Sequence, residues 1–183
     1  FIYSSMGRNV KTLSKSSFRR FNLLMILVLL GTQNNSFERL LNKINECIEK
    51  NIITDHVIVQ AGHTKFTSDK MEIFDFIPLA KMNTLLNEAD LIITHGGVGS
   101  ITSALKLGKK VIAVSRLKEF NEHVNNHQIQ IIDAFDANGY LKGTHNVDDL
   151  EEILKTISSF KPKKFISNTG NILNIVSEFI DNN

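Results

Sequence analysis

Short apolar segments alternate with amphipathic segments along most of the chain, and this alternation constrains the fold more than any other feature. The run from Leu24 to Leu30 is wholly apolar and ends at Gly31, which is typical of a parallel strand covered on both faces. Apolar residues then recur at helical spacing from Phe37 to Ile48. We predict further strands at 56–60, 71–76, 91–94, 110–114 and 140–141, and further helices at 82–89, 100–107, 121–138, 147–157 and 172–180. This order predicts an α/β fold, a Rossmann-like and mostly parallel sheet with helices on both faces.

Composition and charge narrow the class of protein. The chain is 42% hydrophobic and 22% charged, as expected for a globular domain with a full core. Residues 25–183 are predicted to form this domain. Residues 1–24 are expected to be a flexible basic lead-in, which is non-native, the tail of a fused neighbour or a native basic arm. A net charge of +2 is too small to favour a nucleic-acid partner. The single cysteine, Cys47, excludes an internal disulfide or a cysteine-based zinc site. This cysteine content is consistent with a protein of the reducing cytoplasm.

A glycine-rich loop separates the predicted strand at 91–94 from the helix at 100–107. Its sequence is His95-Gly96-Gly97-Val98-Gly99-Ser100. Glycines allow close approach of the backbone to a ligand and positive φ angles, and the free N–H groups of a helix start favour phosphate oxygens. The hydroxyls of Ser100 and Thr102 could add donors. The spacing fits neither a Walker loop nor the dinucleotide fingerprint. A tight strand–helix connection that binds no ligand therefore stays open as an alternative for the loop. For His95, the alternative to a ligand contact is a buried, hydrogen-bonded histidine.

Three loops are expected at the carboxyl edge of the sheet, where ligands of such folds bind: 31–36, 62–67 and 95–100. A fourth segment, 116–128, is dense in polar side chains, which suits recognition of several hydroxyl groups. His123 and His127 lie four residues apart, as on one face of a helix, but Val124 stands where a zinc-protease motif needs glutamate. We therefore expect no metal, and a solvated helix start is the alternative reading of this segment.

Four pieces, taken in order, resemble the C-terminal domain of family 28 glycosyltransferases. They are Leu29-Leu30-Gly31-Thr32-Gln33 with Phe37, Val59-Gln60-Ala61-Gly62, the run from Asp90 to Ser100, and Asn125-Asn126-His127-Gln128. The likeness spans residues 25–138 and is strongest to small, stand-alone members that form one subunit of a two-subunit transferase.

The resemblance implies the C-terminal half of a GT-B glycosyltransferase, which holds a UDP-sugar donor. It implies that the diphosphate meets Gly96, Gly97, Val98, Gly99, Ser100 and Thr102, and that the sugar meets Asn126, His127 and Gln128. The uracil would be flanked by Phe76, Ile77, Pro78 and Met82, and the acceptor cleft by Gly31, Thr32 and His63. A related peptidoglycan transferase has a ribose-binding glutamate where this chain has Ser103, so Glu119 or Glu122 would have to substitute.

The resemblance also implies an inverting transfer of a hexose to a lipid-linked acceptor, without a cofactor. N-acetylglucosamine, galactose and glucose all stay open as the sugar. The general base is not assigned to one residue: His95 and His63 are candidates, Thr32 is a further catalytic candidate, and a residue of a partner is an equal alternative. That partner would be a membrane-associated, acceptor-binding subunit, which would place this chain in the cytoplasm at the membrane periphery. The alternatives are a non-catalytic nucleotide-sugar-binding or regulatory module and a flavodoxin-like domain for another phosphate ligand.

Overall fold

The computed structural model describes residues 24–166, which form six strands and five α-helices. The strands are β1 Met25–Leu29, β2 His56–Gln60, β3 Glu72–Phe74, β4 Leu91–His95, β5 Lys110–Val114 and β6 Lys142–Thr144. The helices are α1 Glu38–Glu49, α2 Leu79–Glu88, α3 Val98–Lys106, α4 His127–Ala137 and α5 Leu150–Thr156, with 3-10 turns at Lys118–Phe120 and Val147–Asp149. All pairings in the sheet are parallel, which confirms the predicted Rossmann-like α/β fold.

The strand order is β3-β2-β1-β4-β5-β6, so the direction of winding reverses at β1. This strand pairs with β2 on one side and with β4 on the other. A sheet of this order has a crevice at its carboxyl edge between the loops that follow β1 and β4, and ligands bind in that crevice. The topology thus places the predicted glycine-rich loop, which follows β4, at the switch point.

Alternation of side chains along β1 divides the core between two layers. Ile26 and Val28 face the layer that contains α1 and α5, and Leu27 and Leu29 face the layer that contains α2, α3 and α4. Because both faces are covered, the strand is apolar throughout rather than alternating. None of the helices within residues 24–166 combines the length and apolar character needed to cross a membrane.

The predicted helix at 121–138 is wrong over its first six residues, since α4 begins at His127. Asn121 has a φ of 56°, in the left-handed region, which stops helical continuation. The Oδ1 of Asn126 accepts a hydrogen bond from the Lys118 N–H at 3.1 Å, and the Oδ1 of Asn125 accepts one from the His127 N–H at 3.2 Å. Such side-chain bonds compete with the helix for backbone groups. His123 therefore lies before α4.

Other boundaries shift by smaller amounts. α3 starts at Val98 instead of Ser100, and β6 lies at 142–144 instead of 140–141, where Leu141 is buried in the core. The predicted helix at 147–157 begins as the 3-10 turn and continues as α5. The predicted lead-in up to residue 23 and the helix at 172–180 lie outside the described residues.

Candidate functional site

The loops after β1 and β2 meet through two glycines at the carboxyl edge of the sheet. Gly31 and Gly62 have φ angles of 75° and 62°, in the left-handed region, which is strained for residues that carry a side chain. A β-carbon on Gly62 would collide with the carbonyl oxygen of Gly31. The backbones are therefore in direct contact, as the predicted convergence of 31–36 and 62–67 requires.

The imidazole of His95 lies between the loop after β1 and the glycine-rich loop. A β-carbon on Gly31 would be 2.5 Å from its Cε1, and a β-carbon on Gly97 would collide with its Nε2. The Nδ1 is 3.1 Å from the carbonyl oxygen of Leu29, which can only accept, so Nδ1 carries the hydrogen. Burial lowers the pKa of His95 to about 4, and the ring is neutral at pH 7.

The three glycines of the loop have different neighbours. A β-carbon on Gly96 would lie 2.8 Å from Cβ of Gln128, and one on Gly97 would collide with His95. A β-carbon on Gly99 would meet nothing within 4 Å. None of the three has a positive φ, so that part of the prediction is wrong. Protein packing explains Gly96 and Gly97, and Gly99 is the glycine that leaves room for a ligand.

The first turn of α3 presents free backbone donors beside Gly99. The first helical bond runs from the Ile101 N–H to the Gly97 carbonyl at 3.1 Å, and Gly97 has no side chain to cap the helix. Within the described residues, the N–H groups of Val98, Gly99 and Ser100 have no hydrogen-bond partner. Together with the helix dipole, these groups form a site suited to an anion.

The hydroxyl of Thr102 is not among the free donors. It is 8% exposed, and its hydroxyl donates to the Gly99 carbonyl at 3.3 Å. This bond, inside the first turn of the helix, uses the only hydrogen of the hydroxyl. Thr102 is therefore omitted from the candidate anion site, unlike Ser100.

A cavity of about 160 Å³ opens next to this helix start. Residues from α3, α2, β1 and β2 line it: Gly99, Ser100, Ser103, Met82, Leu86, Leu29 and Gln60. The structure thus brings Met82 and Ser103, both singled out from the sequence, beside the glycine-rich loop. An apolar wall with a few hydroxyl and amide groups is the usual composition of a small-molecule site.

The remaining predicted uracil-flanking residues lie at the rim of this region. The Ile77 N–H donates to Oε1 of Gln60 at 3.1 Å, so this backbone donor is already used. Phe76 is 50% exposed and meets His63 edge to face at 5.2 Å between ring centroids. Pro78 directly precedes α2. Phe76 therefore offers the accessible ring of this segment.

Among the predicted sugar-binding residues, Gln128 lies closest to the glycine-rich loop. It is 5% exposed, its Cβ adjoins Gly96, and its Oε1 accepts a hydrogen bond from the Arg116 N–H at 3.0 Å. Asn126 and His127 are exposed. The His127 Nδ1 has a 3.4 Å contact with Gln130. The structure thus separates a buried, structural Gln128 from two accessible polar side chains.

The two candidate carboxylates for ribose differ sharply. Glu122 is 4% exposed and pairs with Arg39 through two hydrogen bonds of 3.0 and 2.9 Å, while its Oε2 also accepts the Leu117 N–H at 3.0 Å. A carboxylate held by three donors is not free for a ligand, so Glu122 is a structural residue here. Glu119 lies exposed in the 3-10 turn.

Arg116 is a residue whose role sequence reasoning missed. It is 1% exposed, and its guanidinium donates to the carbonyls of Leu30 at 2.7 Å and Asn35 at 2.6 Å. Longer bonds of 3.3 Å reach the carbonyls of Ser36 and Glu122. Burial lowers the pKa of Arg116 to about 10, which leaves it charged at neutral pH. One arginine thus joins the loops after β1 and β5. In the sequence, the only indication of this role is the position of Arg116 just after a predicted strand.

Two side-chain contacts reinforce the same connection. The Nε2 of Gln33 is 3.1 Å from Nε2 of His123, and the Nδ2 of Asn35 donates to the Asn121 carbonyl at 2.9 Å. The loops after β1 and β5 therefore form one continuous wall of the crevice.

Within residues 24–166, no group of three or more His, Cys, Asp or Glu side chains is arranged to hold a metal ion.

Curated relatives of this chain include a fungal transferase subunit. The chain is 27% identical over 135 residues to the UDP-N-acetylglucosamine transferase subunit ALG13 of Candida albicans. The match covers 74% of this chain and 44% of that protein. The chain thus spans less than half the length of this relative.

Two solved structures share the fold. The solution structure of an ALG13 protein has a TM-score of 0.54 at 20% identity, and the match covers 85% of this chain and 95% of that one. The glycotransferase of kitacinnamycin has a TM-score of 0.55 at 18% identity, over 98% of this chain and 43% of that one. At these identities the likeness supports the Rossmann-like fold found in one half of a GT-B glycosyltransferase.

The family match covers most of the chain, including every strand and helix described above. Residues 25–182 match the model of the glycosyltransferase family 28 C-terminal domain. The match contains the glycine-rich loop, the Arg116 wall and the cavity beside α3. The chain therefore belongs to the family of glycosyltransferase family 28 C-terminal domains.

Proposed function

We propose that this chain is the donor-binding part of a glycosyltransferase that uses a UDP-sugar. The observation that supports this most directly is the uncapped first turn of α3, where Gly99 faces open space beside the cavity. UDP-N-acetylglucosamine is the first candidate donor, because the curated relative is named a UDP-N-acetylglucosamine transferase subunit.

In the proposed complex, the diphosphate binds the N–H groups of Val98, Gly99 and Ser100. These donors and the positive end of the helix dipole stabilise phosphate charge without a metal. The same groups stabilise the additional charge that UDP acquires as it leaves the sugar, which is a preorganised electrostatic contribution to catalysis. The nucleoside then extends over the cavity towards Ser103 and Met82.

The donor sugar is assigned to the side of the loop near α4. Asn126 and His127 are exposed there, and Gln128 fixes Gly96 beside them. Glu119 is the exposed carboxylate of this region, and we assign it, in place of Glu122, to recognition of the hydroxyl groups of the donor sugar. Exposed amide, imidazole and carboxylate groups together supply both donors and acceptors for hydroxyls.

The acceptor and its general base are assigned to a partner. A base works best when its pKa is close to the working pH, and the His95 pKa of about 4 is far below it. His95 is also enclosed between Gly31 and Gly97. The other two candidates, Thr32 and His63, are both exposed at the crevice. We propose a membrane-associated partner that binds a lipid-linked acceptor and supplies or positions the base for an inverting transfer, with this chain in the cytoplasm.

A charge at position 99 tests the diphosphate site. Asp at the first turn of a helix is favourable for folding, so Gly99→Asp should leave stability unchanged or slightly raised. The same carboxylate would repel the diphosphate, and UDP affinity should fall by about 10-fold or more, since like charges in contact cost more than 1.4 kcal/mol. Gly99→Asn is the matched neutral control.

Calorimetric titration with UDP measures both variants. The proposal expects Gly99→Asn to bind within a few-fold of the parent and Gly99→Asp to bind much more weakly. Equal UDP affinity for the parent and Gly99→Asp would place the diphosphate elsewhere. Binding of FMN instead of UDP would favour the flavodoxin-like alternative.

A transfer assay separates a catalytic subunit from a binding module. The chain is co-expressed with its candidate partner and supplied with UDP-N-acetylglucosamine and a lipid-linked acceptor. The proposal expects transfer by the complex and its loss in Gly99→Asp. A complex that binds UDP but transfers no sugar from UDP-N-acetylglucosamine, UDP-galactose or UDP-glucose would indicate a regulatory module.

A further inference from the structure

A second cavity lies at the opposite end of α3 from the glycine-rich loop. It has a volume of about 370 Å³ and is formed by the C-terminal end of α3, the turn before β5 and the segment after α5. Its lining residues are Leu105, Lys106, Leu107, Gly108, Lys109, Pro162, Lys163, Lys164 and Phe165. Four of them are lysines and none is acidic, so the cavity is strongly basic.

Among the described residues, no carboxylate forms an ion pair with the lysines of this region. Six lysines elsewhere in the described chain form ion pairs with Asp or Glu: Lys43, Lys50, Lys65, Lys70, Lys142 and Lys155. No ion pair within residues 24–166 involves the four lining lysines or the exposed Lys161 beside them. We call Lys106, Leu107, Lys109, Lys161, Lys163 and Lys164 the lysine corner.

Apolar groups lie between these lysines. Leu105 and Phe165 are 4% and 8% exposed and form the floor of the cavity, while Leu107 is 43% exposed at its rim. A basic rim around an accessible leucine matches the headgroup layer of a membrane, where ammonium groups meet phosphates and an apolar side chain enters the boundary. Single-stranded RNA would instead call for exposed aromatic rings on which bases stack, and Phe165 is buried.

We propose that the lysine corner docks this chain directly on a bilayer surface that carries anionic phospholipids. α3 has nine residues and is therefore about 14 Å long, so its N-terminal turn is held away from the docked end. The candidate donor site stays open to solvent and to a partner in this arrangement. Docking is independent of the proposed UDP site, because no residue of the corner lines the cavity beside Gly99.

Vesicle co-sedimentation of the full chain tests the proposal. The probe is vesicles of phosphatidylcholine with about 30% phosphatidylserine, compared with pure phosphatidylcholine at low and physiological salt. Each lysine near an anionic surface contributes about 5-fold to partitioning, so Lys106→Gln/Lys163→Gln/Lys164→Gln should reduce binding by at least about 10-fold. The matched control is Lys65→Gln/Lys70→Gln/Lys155→Gln, which removes the same charge from paired positions and should reduce binding by less than about 3-fold.

Three outcomes would overturn the proposal. Equal losses in the two triple variants would mean that net charge alone matters. Loss of binding on replacing Arg8, Lys11, Lys15, Arg19 and Arg20 by Gln, with no loss in the corner variant, would assign the membrane contact to the N-terminal segment. Corner-dependent binding to single-stranded RNA but not to anionic vesicles would identify another polyanion. Unchanged UDP affinity in both triple variants shows that they are folded, and absence of UDP binding in the parent would count only against the proposed function.

Discussion

The imidazole of His95 occupies the space that a side chain on Gly97 would need. The same ring lies against Gly31, so one histidine sets the distance between the loop after β1 and the glycine-rich loop. A glycine-rich loop is commonly attributed to its ligand, but here two of its glycines accommodate protein groups. The consequences for stability and for binding can be tested separately.

Adding a methyl group at position 97 or 99 should have opposite effects on stability. Gly97→Ala forces the His95 ring to move, and overpacking of this kind costs about 1–3 kcal/mol. Gly99→Ala adds its methyl in open space inside a helix and should stabilise by up to about 1 kcal/mol. Urea unfolding of the two variants measures this difference. Equal stabilities would show that the ring yields at no cost.

Stability should decrease on mild acidification through His95. Its pKa falls from the usual 6.5 to about 4 on folding, so the unfolded chain binds more protons between these pH values. The stability contributed by the neutral ring is fully present above pH 6.5 and is lost as the pH falls towards 4. The loss of stability amounts to about 2 kcal/mol by pH 5. Urea unfolding at pH 7.5 and 5 should show a larger decrease for the parent than for His95→Asn, which cannot titrate there. Parallel decreases would contradict the burial of a neutral imidazole.

Loss of the guanidinium of Arg116 should destabilise the fold severely. Arg116→Met leaves the carbonyls of Leu30 and Asn35 without their donor and removes one of the two positive charges near the buried Glu122, the other being Arg39. Breaking such a buried network costs about 3–5 kcal/mol. Lys65→Met, which breaks an exposed ion pair with Asp75, is the control and should cost less than about 1 kcal/mol. Thermal unfolding of both variants gives the comparison, and similar losses would refute the role of Arg116.

Substitution of the two glutamates should separate structure from recognition. Glu122→Gln weakens the pair with Arg39 and should lower stability by about 1–3 kcal/mol while UDP affinity changes less than about 2-fold. Glu119→Gln should leave stability and the affinity for UDP unchanged and weaken binding of UDP-N-acetylglucosamine, because its carboxylate is assigned to hydroxyls of the donor sugar. Titration with UDP and with UDP-N-acetylglucosamine checks this, since UDP carries no donor sugar. The reverse pattern would assign hydroxyl recognition to Glu122.

Most of the fold followed from hydrophobic patterning, because fully buried parallel strands leave an unmistakable apolar signal. β2 and β5 have the predicted bounds, and β1 and β4 differ by one or two residues. Patterning failed at 121–126, where the apolar and polar spacing looked helical. There the left-handed Asn121 and the hydrogen bonds from backbone N–H groups to the side chains of Asn125 and Asn126 hold the backbone in a non-helical form.

The site was predictable where it depends on topology and less so where it depends on packing. Strand order alone places the glycine-rich loop beside the loop after β1. Nothing in the sequence distinguishes the enclosed Gly97 from the open Gly99, since that difference arises from the ring of His95. Likewise, Glu119 and Glu122 look equivalent until Arg39 and Leu117 engage one of them.

The wall built around Arg116 has a consequence for how a ligand enters. Since the loops after β1 and β5 are tied together before anything binds, their ordering entropy is lost during folding and not during association. A ligand then meets a rigid side of the crevice. Association on this side should be fast and insensitive to viscosity-dependent loop closure. Under the proposed function, the slow motions that limit turnover then lie in the approach and departure of the proposed acceptor-binding partner.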